Sequence, residues 1–227
     1  MTSSRRDCDE LAVRSHRLAH AATEEGRFAR EIIPMTIGSN GDAETVRSDQ
    51  GIRRGTSMEV LASLKTVFKP GGVVTAGNAS QISDGAAAVM LTSRERADQL
   101  GLTPRARIVD QTPVGCDPVK MLEGPIPATA KILLRNGMSI NDIDLFEVNE
   151  AFAPVVAAWA RAHQPDMERV NVNGGAMAIG HPLGSTGARL ITTLLHELER
   201  SDSQIGLVTM CCGGGLGTGT LIERLER

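Results

Sequence analysis

Two rhythms run through the apolar positions. Near the N-terminus Leu11, Ser15, Leu18 and Ala22 form a narrow stripe at helical spacing, with Ser4 and Asp7 as an N-terminal cap and Gly26 as a stop, so a helix is expected there. Between Glu31 and Gly55 the pattern breaks at Pro34, Gly38 and Gly51 into short extended pieces, and Asn40-Gly41 signals a hairpin turn. Residues 56–64 read as a short helix and 73–76 as a buried strand, followed by a polar loop over 77–84. Residues 85–91 are small and apolar, with no period to separate helix from strand. A charged helix over 93–100 then leads to Thr103-Pro104, a boundary between two structural regions.

From there the order is α/β. Strands are expected at 107–110, 145–148, 170–172, 205–211 and 216–224, and helices at 127–135, 151–162 and 185–200. The uncharged stretch 205–222 is no membrane span. Six of its 18 residues are Gly and three are Thr, so it divides into strand, glycine turn and strand.

Composition narrows the partners. The chain has 227 residues with four Phe, one Trp and no Tyr, which leaves no aromatic platform for single-stranded nucleic acid and no interfacial belt. Lys and Arg number 24 against 27 Asp and Glu, so no basic face is required and nucleic acid is not an expected partner. The first ten residues are charged and lack the apolar core of a signal peptide. Cys8, Cys116, Cys211 and Cys212 lack metal-type spacing, so free thiols in a reducing cytoplasm are expected. His16 and His20 lie one helical turn apart, but no glutamate base or third ligand accompanies them, so no metal site is expected.

Three polar islands follow expected strands, where ligands of open α/β sheets gather: Asn149-Glu150, residues 173–184, and residues 211–215. Two phosphate-loop readings fail. Gly175 to Gly180 has P-loop spacing but is followed by His181 instead of Lys, and Gly213 to Gly219 joins strand to strand without a helix N-terminus. A thiol site fits better. Cys211 at a strand end, followed by glycines whose N–H groups converge, presents a proton carrier beside an oxyanion pocket. His181 adds a second titrating group, and Asn149 can hold a water or carbonyl oxygen. Singly, His181 reads as a structural histidine, Cys211 as a small buried residue and Asn149 as a helix cap. The case rests on the three together.

The stretches Asn149-Glu-Ala-Phe-Ala153, Asn171-Val-Asn-Gly-Gly-Ala176 through Gly180-His-Pro-Leu-Gly184, and Cys211-Cys-Gly-Gly-Gly-Leu-Gly217 resemble three successive signatures of the thiolase family. Val74-Thr-Ala-Gly-Asn-Ala-Ser80 through Ser83-Asp-Gly-Ala-Ala87 resembles a fourth, from its CoA-binding region. The resemblance covers nearly the whole chain in order. It implies an α/β fold whose C-terminal domain, 104–227, is βαβαβαββ with a mixed five-stranded sheet covered by helices on both faces. Residues 1–82 would be a partial CoA-binding loop domain, and 83–103 the terminal piece of the N-terminal half.

The resemblance further implies an acyl-CoA acyltransferase that cleaves 3-oxoacyl-CoA with CoA or runs the reverse Claisen condensation, in fatty-acid or lipid metabolism. Ser80-Gln-Ile-Ser-Asp84 leans slightly toward the degradative, β-oxidation side. His181 would activate the nucleophile and, with a water held by Asn149, line one oxyanion hole. Cys211 would be the acid/base cysteine and the Gly213 N–H a donor of the second oxyanion hole. Ser80 would contact the pantetheine arm and Arg53 would lie near the CoA nucleotide. Coenzyme A thioesters enter as substrates, and no separate cofactor is implied. A ketosynthase relative, which lacks the cysteine with its triple glycine, ranks below.

The same resemblance places the acylated cysteine in an upstream half outside these residues, and neither Cys8 on the charged first helix nor Cys116 in its Gly-Cys-Asp-Pro turn suggests activation. The expectations are therefore a distal half that associates with a chain supplying the rest, in a homo- or hetero-oligomer, or a non-catalytic remnant that binds CoA or a partner. Without the twin domain, an exposed apolar patch is expected on the helix at 151–160.

Overall fold

In the computed structural model, which describes residues 3–38 and 43–226, the first helix starts at the expected cap. Ser4 opens α1 (Arg5–Glu24): its Oγ accepts the Asp7 N–H, and the Asp7 carboxylate accepts the Ser4 N–H at 2.9 Å. This reciprocal pair satisfies donors that a helix start leaves open. Antiparallel β1 (Met35–Ile37) and β2 (Glu44–Val46) come next; the expected Asn40-Gly41 turn lies outside the described residues. Ser57 caps α2 (Met58–Ala62) and Ser93 caps α3 (Arg94–Gln99).

The expected strand at 73–76 is not one. Only an isolated Thr66–Thr75 bridge forms, because the Asn78 side chain takes the backbone groups a ladder would use. Its Oδ1 accepts the Thr75 N–H at 2.8 Å, and its Nδ2 donates to the Val73 carbonyl and to Asp9 of α1. Residues 85–91 have neither helix nor strand.

The second half builds the main sheet from β3 (Ala106–Gly115), α4 (Pro125–Asn136), β4 (Leu145–Val148), α5 (Ala153–His163), α6 (Ala176–Ile179), α7 (Thr186–Arg200), β5 (Ile205–Cys212) and β6 (Leu216–Arg224). Strand order is β3-β6-β5-β4, antiparallel except for the parallel β4–β5 pair. Successive side chains point to opposite faces, and both faces are covered. Leu145, Val208 and Ile222 meet Leu190, Leu194 and Leu198 of α7. On the other face Phe146, Val148, Leu207 and Leu221 meet Ile132 of α4 with Val156 and Trp159 of α5. Trp159 is fully buried, edge-on to Phe146, and its indole N–H donates to Thr129 at 2.9 Å.

The sheet has four strands, not the expected five. The segment at 170–172 joins it through a single parallel bridge, Val170 to Phe146. Asn171 then turns into the left-handed region at φ 47°, which ends the ladder. Its side-chain amide replaces the missing strand: Oδ1 accepts the Val148 N–H at 2.8 Å and Nδ2 donates to the Val148 carbonyl at 2.9 Å.

The apolar patch expected at 151–160 is absent as well, since every residue there is buried or half-buried. α5 is packed by both α1 and α4. Residues 78–80 close over the helix start, where Ala153 N–H donates to Asn78 and Ser80 N–H to Ala151. The exposed apolar side chains lie elsewhere, notably Ile82, Met90 and Leu91.

Beneath α7 the sheet carries buried charge. Glu147 of β4 lies 3.6 Å from Arg189, and Glu31 lies 3.5 Å from His196. Glu147 Oε2, Glu31 Oε2 and both terminal nitrogens of Arg189 are buried without a hydrogen-bond partner among the described residues. Burial pushes Glu147 up from 4.5 to about 8 and Glu31 from 4.5 to about 7, against the pull of Arg189; Glu150 is raised by burial too. Such carboxyls hold a proton more tightly folded than unfolded, so their stabilising contribution is complete below about 4.5 and is lost as pH rises through the folded value. Buried histidines act in the opposite sense, His16 being pushed from 6.5 to about 4, but they are neutral in both states above about 6.5. The melting temperature is therefore expected to fall between about pH 6.5 and 8, each titrating carboxyl contributing at most about 1.4 kcal/mol per pH unit. Thermal melts of Glu147→Gln across this range should give a shallower slope; an unchanged slope would remove Glu147 as its source.

Candidate active site

The parallel β4–β5 register aligns Val148 with Thr209, so Asn149 leaves β4 at the edge where β5 ends in Cys211 and Cys212. The Asn149 N–H still donates to the Thr209 carbonyl at 3.0 Å, and its side chain is fully buried. Between β5 and β6 the three-residue turn Gly213-Gly-Gly215 closes the Cys212–Leu216 pair, with Gly214 and Gly215 at φ near 80°. Positive φ at two successive positions is what glycine permits. Gly213 itself is exposed.

His181 reaches this edge from the loop after α6. Its backbone N–H donates to the Gln81 carbonyl at 3.1 Å, and Gln81 Nε2 donates to the carbonyls of Gly51 and Met177. The imidazole is held at both nitrogens: Nε2 lies 3.2 Å from Asn149 Nδ2, and Nδ1 lies 2.7 Å from Thr186 Oγ1. Asn149 Oδ1 is buried and has no hydrogen-bond partner among the described residues, so an acceptor remains beside the ring. Burial, then the nearby Arg189 cation, lowers the His181 pKa, which leaves the ring neutral at pH 7.

Cys211 is buried against Ala151 and Val155, and desolvation pushes its thiol up from 9.0 to about 11. It is a protonated thiol at neutral pH. Cys8, buried in α1, is likewise pushed to about 11, while Cys116 and Cys212 are half-buried, and all four are free. Among the described residues no group of His, Cys, Asp and Glu is arranged to hold a metal ion. His16 Nδ1 instead accepts the Arg53 N–H at 3.1 Å.

Ser80 lies against the Asn149 loop through its N–H bond to Ala151 and the neighbouring Ala79–Phe152 bridge. Arg53 is exposed beside α1 and bears on the histidine loop only indirectly, through Gly51 and Gln81. Beside His181 an open groove of about 360 Å³ runs between Ser83–Gly85 and Pro182–Leu183. The structure thus gathers His181, Asn149 and Cys211 at one sheet edge, with the Gly213 turn and Ser80 adjoining and Arg53 farther out.

Two residues, and the role of a third, escaped sequence reasoning. Thr186 and Arg189 lie on the first turns of α7 and carry no motif signal of their own, though Thr186 follows His181 by five residues. Glu150 was flagged only as part of a polar island. Its Oε2 accepts from Ser15 Oγ at 2.6 Å and from the Met177 N–H at 3.1 Å, and its Oε1 accepts from Asn171 Nδ2 at 3.1 Å.

Among the described residues no helix is long and apolar enough to cross a membrane. Residues 1–95 match the family described as "Thiolase, N-terminal domain" and residues 102–224 the family described as "Thiolase, C-terminal domain". A curated relative, the 3-ketoacyl-CoA thiolase of Idiomarina loihiensis, is 50% identical over 98% of this chain and 59% of its own length. The crystal structure of the Bacillus anthracis acetyl-CoA acetyltransferase superposes with a TM-score of 0.94 at 44% identity, covering 98% of this chain and 56% of that one. Human mitochondrial 3-ketoacyl-CoA thiolase gives a TM-score of 0.92 at 40% identity, with the same coverage. The chain thus spans between 56% and 59% of the length of these three proteins. With both halves of the match in register with the fold and the site, the chain belongs to the thiolase family.

Proposed function

We propose that this chain provides the acid/base and oxyanion half of an acyl-CoA acyltransferase that cleaves 3-oxoacyl-CoA with CoA, or runs the reverse Claisen condensation. The reading is carried by one arrangement: a neutral imidazole paired to Asn149 at the strand ends where Cys211 holds a buried, protonated thiol. In cleavage, the bond between C2 and C3 breaks and its electron pair stays on C2 as a thioester enolate. Cys211 Sγ–H gives C2 its proton; the acyl group passes to a nucleophilic cysteine and then to the CoA thiol, whose proton returns to the Cys211 thiolate. His181 takes the proton of that nucleophile, and its ring with a water on Asn149 Oδ1 faces one oxyanion. The Gly213 N–H serves the other.

Ser80 would line the pantetheine arm and Arg53 would approach the nucleotide. The family resemblance places the nucleophile in a region outside these residues; within them, Cys8 and Cys211 are held protonated by burial and the Cys116 thiol faces the Met121 carbonyl. A chain carrying the remaining family length is the proposed partner, with 1–82, 83–103 and 104–227 as the domain division and the cytoplasm as the compartment.

The purified chain, assayed for thiolysis of acetoacetyl-CoA alone and with a separately produced N-terminal half from a thiolase relative, should turn over only in the mixture. His181→Ala and Cys211→Ala should each lower kcat by about 10²-fold or more, the scale of a lost general acid or base. Turnover by the lone chain that Cys211→Ala abolishes would overturn the division of labour. Failure of every mixture, despite demonstrated association, would favour a non-catalytic CoA-binding remnant. A second measurement needs no turnover. Under iodoacetamide at pH 7, peptide mass spectrometry should find Cys116 and Cys212 alkylated first and Cys8 and Cys211 last, with Cys211 labelling accelerating as pH rises toward 11.

A further inference from the structure

We infer that Thr186 is the positioning residue that fixes the tautomer and orientation of His181. The inference rests on the reading of His181 as the site's base, but its geometry stands independently of turnover. Thr186 is fully buried at the start of α7, and its Oγ1 lies 2.7 Å from His181 Nδ1. The same oxygen lies 2.9 Å from the Pro182 carbonyl, which only accepts, and on this inference the single hydroxyl proton of Thr186 goes to that carbonyl. With the proton placed there, the hydroxyl accepts from the ring and Nδ1 carries the imidazole proton. The relay runs His181 Nδ1–H to Thr186 Oγ1, and Thr186 Oγ1–H to Pro182 C=O.

The consequence appears on the other nitrogen. With the proton on Nδ1, Nε2 of the neutral ring bears the lone pair, and Asn149 Nδ2–H donates to it at 3.2 Å. That choice of amide orientation turns Asn149 Oδ1 the other way, where it is the buried oxygen without a partner. One hydroxyl proton thereby orders three groups: it makes Nε2 the basic nitrogen and leaves an acceptor beside it for water. Pro182 and Thr186 belong to one turn, since the Thr186 N–H also donates to the Pro182 carbonyl at 3.1 Å. The relay is therefore prebuilt by the loop that enters α7. Valine has nearly the shape of threonine but neither donates nor accepts, whereas serine keeps the hydroxyl.

The test is two-bond ¹H–¹⁵N correlation spectroscopy of the uniformly ¹⁵N-labelled full chain at pH 7.5, with the His181 signals identified by their loss in His181→Gln. Wild type and Thr186→Ser should show His181 as the Nδ1–H tautomer by about tenfold over the other form. In Thr186→Val that preference should collapse to within about twofold, with the remaining histidine signals unmoved. An Nε2–H ring in wild type, or an undiminished preference in Thr186→Val, overturns the inference. If Thr186→Val fails to fold, the tautomer in wild type and Thr186→Ser still decides it. In the two-part assay Thr186→Val should lower kcat about 10- to 100-fold with KM unchanged, and Thr186→Ser should restore it. A silent assay with the tautomer as stated would fault the acyltransferase reading and leave the role of Thr186 intact.

Discussion

One buried carboxylate organises this structure. Glu150 stands next to the site asparagine, and its two oxygens collect donors from three separated parts of the chain: Ser15 of α1, Asn171 at the broken sheet edge, and the first turn of α6. Ser15 Oγ in turn accepts the Gly175 N–H at 3.1 Å. Leaving a buried donor or acceptor unpaired costs about 1–3 kcal/mol, so losing Glu150 would strand several groups at once. The packing around it admits no side chain either, because a Cβ on Gly175 would stand 2.6 Å from Glu150 Oε2. On Gly174, already at φ 76°, a Cβ would stand 2.5 Å from the Ser15 carbonyl. The two glycines are where the approach to α6 meets α1 and Glu150, and α1 also packs against α5.

The aromatic-poor, glycine-rich composition follows from this construction. Close approach of backbones, not large rings, joins the layers: α1 offers Ala12, Ala19 and Ala22 to its neighbours, all fully buried. The single tryptophan sits where α4, α5 and the sheet meet, with its one polar atom satisfied by Thr129. Small residues also carry a cost in robustness, since a site held by glycine contacts has little room to absorb an added methyl group.

Much of this was legible from residue order, and the failures share a cause. The Ser4 cap, the bounds of β4 and β6, and the helix at α7 follow from local signals, and the three polar islands do meet at one edge. The two lost strands, at 73–76 and 170–172, fail for one reason. In each case an asparagine side chain, Asn78 or Asn171, satisfies backbone groups that a neighbouring strand would otherwise pair. Apolar β-prone residues show which segments are buried, but not that an amide several residues away will substitute for a ladder. The expected patch on α5 fails because cover by α1 depends on Gly174 and Gly175 meeting Ser15, a contact more than 150 residues apart in sequence. Thr186 and Arg189 were invisible for the same reason: their meaning is a distance to His181 or Glu147, not a spacing.

Burial then divides the chemistry between the two titrating groups. Removing water from Cys211 raises its thiol to about 11, and removing water from His181 lowers the imidazole. Both groups are neutral at pH 7, which gives one a proton to donate and the other a lone pair to receive one. A thiol that basic is a poor thiolate nucleophile but a sound proton source for a carbanion, which is basic enough to take the proton. On the proposed reading, the burial that suits Cys211 to proton transfer makes it a poor residue to acylate. The acylated cysteine is therefore, on that reading, a different residue, and His181, itself half-buried, adjoins Pro182 and Leu183 of the open groove.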